Sequence, residues 1–371
     1  MSAFVKTTDS FVQGARTMPG EYYTSPDILA RELVRLFQTR WLCVGRADQL
    51  AEPGAFFVQE VGADSLIILR DRSGTIRALH NVCRHRGTRL CEEHSGRFSE
   101  TIQCPYHAWT YATDGRLLGA PHMHEAEGFD KKDYPLHQAH VATWHGFLFL
   151  NLSTDPEPIE EALAPLAGRF DRYNLGQLVR VRRIDYEVRA NWKLIFQNYS
   201  ECLHCPTIHP ELSRLLPYTS GANDLVEGPF LGGHMEITQP NQSVTITGAA
   251  CGVPLGSLPP DDLRRAYYYT IFPNMMLSIH PDYVAYYRVW PLAADRSAVF
   301  CEWLSHPDTL KHPELSPDGA VEFWDLTNRQ DWHVSELSQA GISSSVYRPG
   351  PYSPRESIPA AWDRAYLEAI R

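Results

Sequence analysis

Two short segments each deliver one cysteine and one histidine. Cys83-Arg84-His85 is followed, after eighteen intervening residues, by Cys104-Pro105-Tyr106-His107. A [2Fe–2S] cluster takes four protein ligands, and two thiolates on one iron with two imidazoles on the other would supply them. Neutral imidazole in place of thiolate raises the reduction potential, so such a cluster accepts electrons from an ordinary ferredoxin and passes them on. A Cys₂His₂ zinc knuckle uses the same residue types and is the structural alternative. Zinc sites usually pair two cysteines in one loop and two histidines in another, whereas here each loop is mixed. Gly87 after the first pair and the Asp114-Gly115 turn after the second suit ligands held between two β-hairpin loops. His80 and His94 lie nearby as lone histidines and read as ordinary polar residues.

A second constellation lies downstream. The stretch from Asn191 to His204 reads as a helix, on which Asn198, Glu201 and His204 are successive i,i+3 neighbours. They form a polar stripe, while Ile195, Tyr199 and Cys202 form an apolar one. Burying that stripe is costly unless each group meets a metal or a polar network, which marks Asn198 and Glu201 as candidate catalytic residues. His209 follows His204 by five residues; Pro206 disrupts the turn between them and Pro210 blocks its resumption, so the chain can bend His209 back. Two histidines plus a carboxylate hold Fe(II) on one face and leave positions open for O₂. The carboxylate must come from a distant segment: Asp331, in Gln330-Asp331-Trp332, is the candidate metal ligand and Asp325 its competitor. Taken alone, this stretch also fits a solvated helix face with incidental histidines, or structural zinc.

These residues need elements to hold them. Ser25 and Pro26 open a helical pattern that runs to Arg40. From Trp41 the texture changes to short strands, with Phe56–Val61, Leu66–Arg70 and Thr75–His80 expected as strands and Gly146–Leu150 as a closing one. The run Asp155-Pro156-Glu157-Pro158 marks a boundary. Beyond it come Tyr- and Val-rich strands between Gly232 and Trp303, then a long helix from about Ser316-Pro317 to Gly341. The expectation is an α+β chain with an N-terminal helical segment over 1–40, a β-rich cluster domain over 41–152 and a catalytic domain of helices on an antiparallel sheet over 153–371.

The chain of 371 residues is long enough for two cores, and its formal net charge of −10 argues against a nucleic-acid surface. No stretch resembles a signal peptide or a membrane span, and the expectation is a cytoplasmic protein. In a reducing compartment eight cysteines are not a disulfide framework; Cys43, Cys251 and Cys301 read as inert core residues.

The texts Cys-Arg-His-Arg-Gly and Cys-Pro-Tyr-His-Ala-Trp closely resemble the Rieske ferredoxins and oxygenases. Asn-x-x-Glu-x-x-His-x₄-His after Asn-Trp-Lys resembles the catalytic helix of Rieske non-haem iron oxygenase α subunits. The resemblance implies a Rieske domain followed by a helix-grip catalytic domain, a mononuclear Fe(II), and NAD(P)H electrons arriving through a separate flavin and ferredoxin-type reductase. It also implies a homotrimer or trimer-based hexamer, in which Glu201 would link His204 to His107 of the partner subunit. Glu201 stands where aromatic-ring dioxygenases usually carry Asp. Its setting, Glu-Cys-Leu-His-Cys-Pro, resembles the oxygenases of glycine betaine, carnitine and other quaternary ammonium compounds, which N-demethylate their substrates. Tyr267, Tyr268, Tyr269, Tyr283, Tyr286 and Tyr287 could supply a cation cage, or merely reflect the preference of Tyr for strands. The alternatives are hydroxylation or O-demethylation of an aromatic acid, a Rieske electron carrier without oxygenase activity, and a zinc-stabilised binding protein.

Overall fold

The computed structural model describes residues 3–371 and divides into two compact units, Leu33–Ala162 and a discontinuous one joining the residues up to Glu32 to Leu163–Arg371. The segment expected over 1–40 is therefore not a body of its own. Its helix runs over Pro26–Glu32 and widens into a π-helical stretch at Leu33–Phe37.

The Leu33–Ala162 unit is built on a seven-stranded antiparallel sheet in which Leu42–Arg46, Phe147–Asn151, Gln138–Trp144, Ile76–His80, Asp64–Arg70, Ala55–Val61 and Ser95–Arg97 are successive neighbours. A smaller sheet of Thr101–Gln103, Thr110–Ala112 and Leu117–Gly119 covers it. Ile67, Leu69, Leu79, Ile102, Trp109, Tyr111 and Leu136 form the core between them, and Cys83 and Cys104 belong to that core.

The larger unit carries an eight-stranded antiparallel sheet, ordered Val5–Lys6, Ala222–Leu225, Phe230–Glu236, Arg265–Ile271, Met275–Ile279, Tyr283–Ala293, Arg296–Ser305 and Val179–Val188. The helices Trp192–Tyr199, Asp318–Ile342 and Ser357–Ile370 pack on one face. Tyr199 Oη lies 2.8 Å from Ser278 Oγ, and Tyr287 Oη donates to Asn328 Oδ1 at 3.1 Å, so alternate strand residues meet the helices. The α+β, helix-grip arrangement expected from the sequence is present.

Buried polar contacts seat the Trp192–Tyr199 helix. The Asn191 side chain caps it, accepting from Lys193 N at 3.1 Å while donating to Ala294 O at 2.6 Å. Trp192 Nε1 and Lys193 Nζ both donate to Glu32, at 2.8 and 2.5 Å, and Tyr366 Oη donates to the same carboxylate. Burial pulls Lys193 down to about 8, against the opposing pull of Glu32. The Asn-Trp-Lys triplet thus fixes the start of the helix.

The helix expected over Asn191–His204 stops at Tyr199. Ser200 Oγ donates back to Phe196 O, and the Glu201 carboxylate captures Leu203 N–H, so side chains outcompete the helical ladder. Pro206 and Pro210 then do not merely interrupt: each lies in the first turn of a new short helix, Cys205–Ile208 and Pro210–Leu215, where its missing N–H costs nothing.

Candidate metal centres and the adjoining cavity

Each Cys/His loop of the smaller unit folds in the same way. Cys83 N–H donates to Thr88 O and Cys104 N–H to Trp109 O, both at 2.8 Å; Gly87 N–H donates to Cys83 O and Ala108 N–H to Cys104 O. Gly87 and Ala108 occupy equivalent left-handed positions, at φ +73° and +56°. The pseudo-symmetric loops set the two cysteines inside the core and bring the His85 and His107 rings to 4.8 Å between centroids. Cys83 and Cys104 are 2% and 3% exposed, whereas His85 is exposed and His107 half-buried, so a cluster held by these four residues would have a protected thiolate end and an accessible imidazole end. Tyr111 Oη accepts Arg84 N–H at 3.1 Å and lies 3.3 Å from Cys83 Sγ, so its own proton points at the sulfur. Trp109 stacks on His85 at 4.9 Å.

In the larger unit His204, His209 and Asp331 converge. His204 Nε2 is 3.3 Å and His209 Nε2 2.8 Å from the same oxygen, Asp331 Oδ1. Adjacent ligands of one metal at about 2.1 Å, set at right angles, stand about 3 Å apart. The other imidazole nitrogens are engaged: His204 Nδ1 with Glu201 Oε1 at 2.6 Å, His209 Nδ1 with Gln330 Oε1 at 2.7 Å. Both acceptors lack a proton to give, so Nδ1 carries the hydrogen on each ring and the Nε2 lone pairs face inward. Burial pushes the Asp331 carboxyl up; when the rings also carry a proton on Nε2, their hydrogen bonds to Asp331 outweigh that push and hold its carboxyl below the usual carboxylate range. Asp325 does not join the group; Tyr186 Oη donates to it at 2.7 Å and Arg329 Nε at 3.0 Å.

A cavity of about 1010 Å³, including its open mouth, adjoins the triad. Its walls include Asn198, Glu201, His204, His209 and Asp331. Tyr199, Tyr268 and Trp324 line it as a contiguous aromatic surface, with ring centroids 6.1 Å and 6.2 Å apart across Tyr268. Trp324, Thr327 and Asp331 share one face of the Asp318–Ile342 helix. Gly232 and Gly233 lie in the wall because the strands crowd there: a Cβ on Gly233 would sit 2.0 Å from Ala222 O. Cys202 and Cys205 form a disulfide across Leu203 and His204, a bond that the cysteine count did not suggest.

Of the six tyrosines that could supply a cage, only Tyr268 is among the cavity-lining residues. Tyr267 donates to Asp262 and Tyr269 to Asp224, Tyr283 to Val244 O and Tyr287 to Asn328, while Tyr286 is fully buried. Tyr199 and Trp324 take the places beside Tyr268. Gln330, Tyr111 and the disulfide were also not foreseen. The i,i+3,i+7 spacing of Trp324, Thr327 and Asp331 was the one signal that could have found a cavity residue.

Residues 40–141 match the Rieske [2Fe-2S] domain model, and residues 175–371 match the model of the ring hydroxylating alpha subunit catalytic domain. The chain belongs to the Rieske ring-hydroxylating oxygenase α-subunit family.

It is 33% identical to the glycine betaine monooxygenase oxygenase subunit of Chromohalobacter salexigens, over 92% of this chain and 82% of that one. It is 28% identical to the chloroplastic choline monooxygenase of Arabidopsis thaliana, over 92% and 80%. Its fold is that of the quaternary ammonium Rieske monooxygenase CntA crystallised with L-carnitine, with a TM-score of 0.79 at 24% identity over 99% and 98% of the two chains. As a member of this family the chain is a terminal oxygenase component, an oxidoreductase that uses a Rieske [2Fe–2S] cluster and mononuclear non-haem iron, with NAD(P)H electrons supplied by a separate reductase. The donor sets fit both groups: two thiols and two imidazoles for the cluster, a converging 2-His-1-carboxylate face for the iron. No helix among the described residues is long and apolar enough to cross a membrane.

Proposed function

We propose that this oxygenase N-demethylates a quaternary ammonium compound of the betaine or carnitine type. The observation that carries the reading is the aromatic surface of Tyr199, Tyr268 and Trp324 in the wall of the cavity that adjoins His204, His209 and Asp331. Aromatic faces attract a trimethylammonium group by about 0.5–2 kcal/mol per contact, and the cation has few other partners to prefer once it is out of water. Such a surface would hold an N-methyl group toward the triad.

In this assignment Cys83, His85, Cys104 and His107 hold the cluster, and His204, His209 and Asp331 hold the iron. The bound metals supply electron storage and reductive O₂ activation. One oxygen atom enters a methyl C–H bond, and the other leaves as water with two electrons and two protons. The resulting N-hydroxymethyl group then loses formaldehyde and a proton, leaving the tertiary amine. Asn198 presents a polar side chain to the cavity, and Glu201 holds His204 in the Nδ1–H tautomer. Glu201 also continues the polar path toward His107 of the partner subunit in the homotrimer or trimer-based hexamer that this reading includes. The protein acts in the cytoplasm, beside its flavin and ferredoxin-type reductase.

The test is turnover. Purified enzyme given NADH and a surrogate reductase should consume O₂ and release formaldehyde with glycine betaine, carnitine or a close analogue. A hydroxylated ring from an aromatic acid, with no formaldehyde from any quaternary amine, would replace this assignment.

A further inference from the structure

We infer that Arg355 binds the anionic end of the substrate and so makes the cavity selective for zwitterionic over purely cationic amines. The inference rests on the quaternary-amine reading above and adds what lies beyond the ammonium group.

The cavity holds charge of both signs, but in different states of engagement. Asp331 and Glu201 are committed, the first to both iron-site imidazoles and the second to His204 Nδ1 and Leu203 N–H. Arg355 also lines the cavity, and its guanidinium lies 5.3 Å from the centroid of the Tyr218 ring, another lining residue. Among the described residues neither the Arg355 guanidinium nor the Tyr218 hydroxyl has a hydrogen-bond or ion-pair partner, so five N–H donors and one O–H donor face this wall unspent. The backbone beneath is fixed. Ser353 Oγ accepts Arg355 N–H at 3.2 Å, Glu356 Oε2 accepts Ser353 N–H at 2.7 Å, and the largely buried Ser357–Ile370 helix follows at once. The side chain is thus a half-buried cation on a backbone held in place.

Arg355 lies on the turn packed against Thr7–Ser10, and Asn223 is two strands across the sheet from Tyr268, pairing with Gly233, which pairs with Tyr268. Thr7 and Asn223 also line the cavity, Asn223 Nδ2 donating to Thr7 Oγ1 at 3.0 Å. An ammonium group set against Tyr199, Tyr268 and Trp324 leaves a carboxylate free to meet a planar fork of guanidinium donors, which matches carboxylate geometry bidentately. A substrate ending in a neutral hydroxyl gains nothing comparable, and its net positive charge is repelled by Arg355.

Glycine betaine and choline form the matched pair for the test, since they differ in carboxylate against hydroxymethyl. Reconstituted wild type, Arg355→Gln, Arg355→Lys and Arg355→Glu are compared by formaldehyde release. In Arg355→Gln the betaine-to-choline ratio of kcat/KM should fall about tenfold or more, through KM and not kcat. Arg355→Lys should recover part of the loss, and Arg355→Glu should favour choline. A ratio within about threefold of wild type in Arg355→Gln and Arg355→Glu, with both enzymes folded and iron-loaded, overturns the inference while leaving the proposed function standing. Wild type that releases formaldehyde from no quaternary amine overturns both.

Discussion

Replacing Tyr111 with Phe isolates one hydrogen bond to the cluster. Tyr111 is fully buried in the core that also holds Cys83 and Cys104, so Phe keeps the packing and removes only the hydroxyl. That hydroxyl already accepts Arg84 N–H, which leaves its proton for Cys83 Sγ at 3.3 Å. A hydrogen bond to a sulfur ligand gains strength as negative charge accumulates, so it favours the reduced cluster. A difference of about 1 kcal/mol between the two oxidation states is typical of one such bond, and at 59 mV per tenfold change for one electron it lowers the midpoint by about 40 mV in the variant. Potentiometric titration followed by the EPR signal of the reduced cluster measures this directly, with the visible spectrum confirming that the cluster is intact. Leaving Arg84 N–H without its acceptor should also cost about 1–3 kcal/mol of stability. An intact cluster whose midpoint is unchanged within about 10 mV, or is higher, would refute the assignment of this hydroxyl to the thiolate.

Four further outcomes are expected. His209→Ala should reduce iron from roughly three to roughly two atoms per chain at unchanged acid-labile sulfide, with loss of substrate-dependent O₂ uptake. Glu201→Gln should keep the iron but lower turnover about 10–100-fold, since the carboxylate that orients His204 and, in the proposed assignment, continues the electron path is neutralised; single-turnover oxidation of the cluster reads this step. Glu32→Gln leaves Lys193 buried beside a neutral partner and should cost about 3–5 kcal/mol in urea unfolding. Burial pushes the Asp363 carboxyl up to about 7, so the folded chain holds a proton that the unfolded chain gives up near pH 4. On that group's account stability is greatest below pH 4 and falls by up to about 4 kcal/mol by pH 7, and Asp363→Asn should flatten the fall in a thermal unfolding series.

The cluster loops were legible because their information is local. The Cys and His spacing, Gly87 and the Asp114-Gly115 turn lie within a few residues of the ligands they serve, and the observed loops repeat one pattern of backbone hydrogen bonds around each cysteine. The strands expected between Phe56 and His80, the closing strand at Gly146–Leu150 and the long late helix were legible for a similar reason, from period and punctuation. The tyrosines were not. Alternation along Arg265–Ile271 does put Tyr268 on the face opposite Tyr267 and Tyr269, but which face the helices cover is decided by pairing partners far away in sequence.

The iron site shows the same division more sharply. Glu201 and His204 do touch, as an i,i+3 pair on a helix would, yet the helix has ended at Tyr199 and the contact comes from a turn that Glu201 itself creates by capturing Leu203 N–H. The periodic argument reached the right pair through the wrong element. On the late helix, by contrast, periodicity held: Asp325 and Asp331 are six residues apart and face differently, and only Asp331 meets the imidazoles. What no pattern could give is the grip on His209. Its two nitrogens are bound by the consecutive residues Gln330 and Asp331, whose side chains leave the helix about 100° apart, so the ring must enter edge-on between them. That approach depends on where Pro210 restarts the chain. A sequence can name three candidate ligands, but the angle at which His209 is presented belongs to the packed molecule alone.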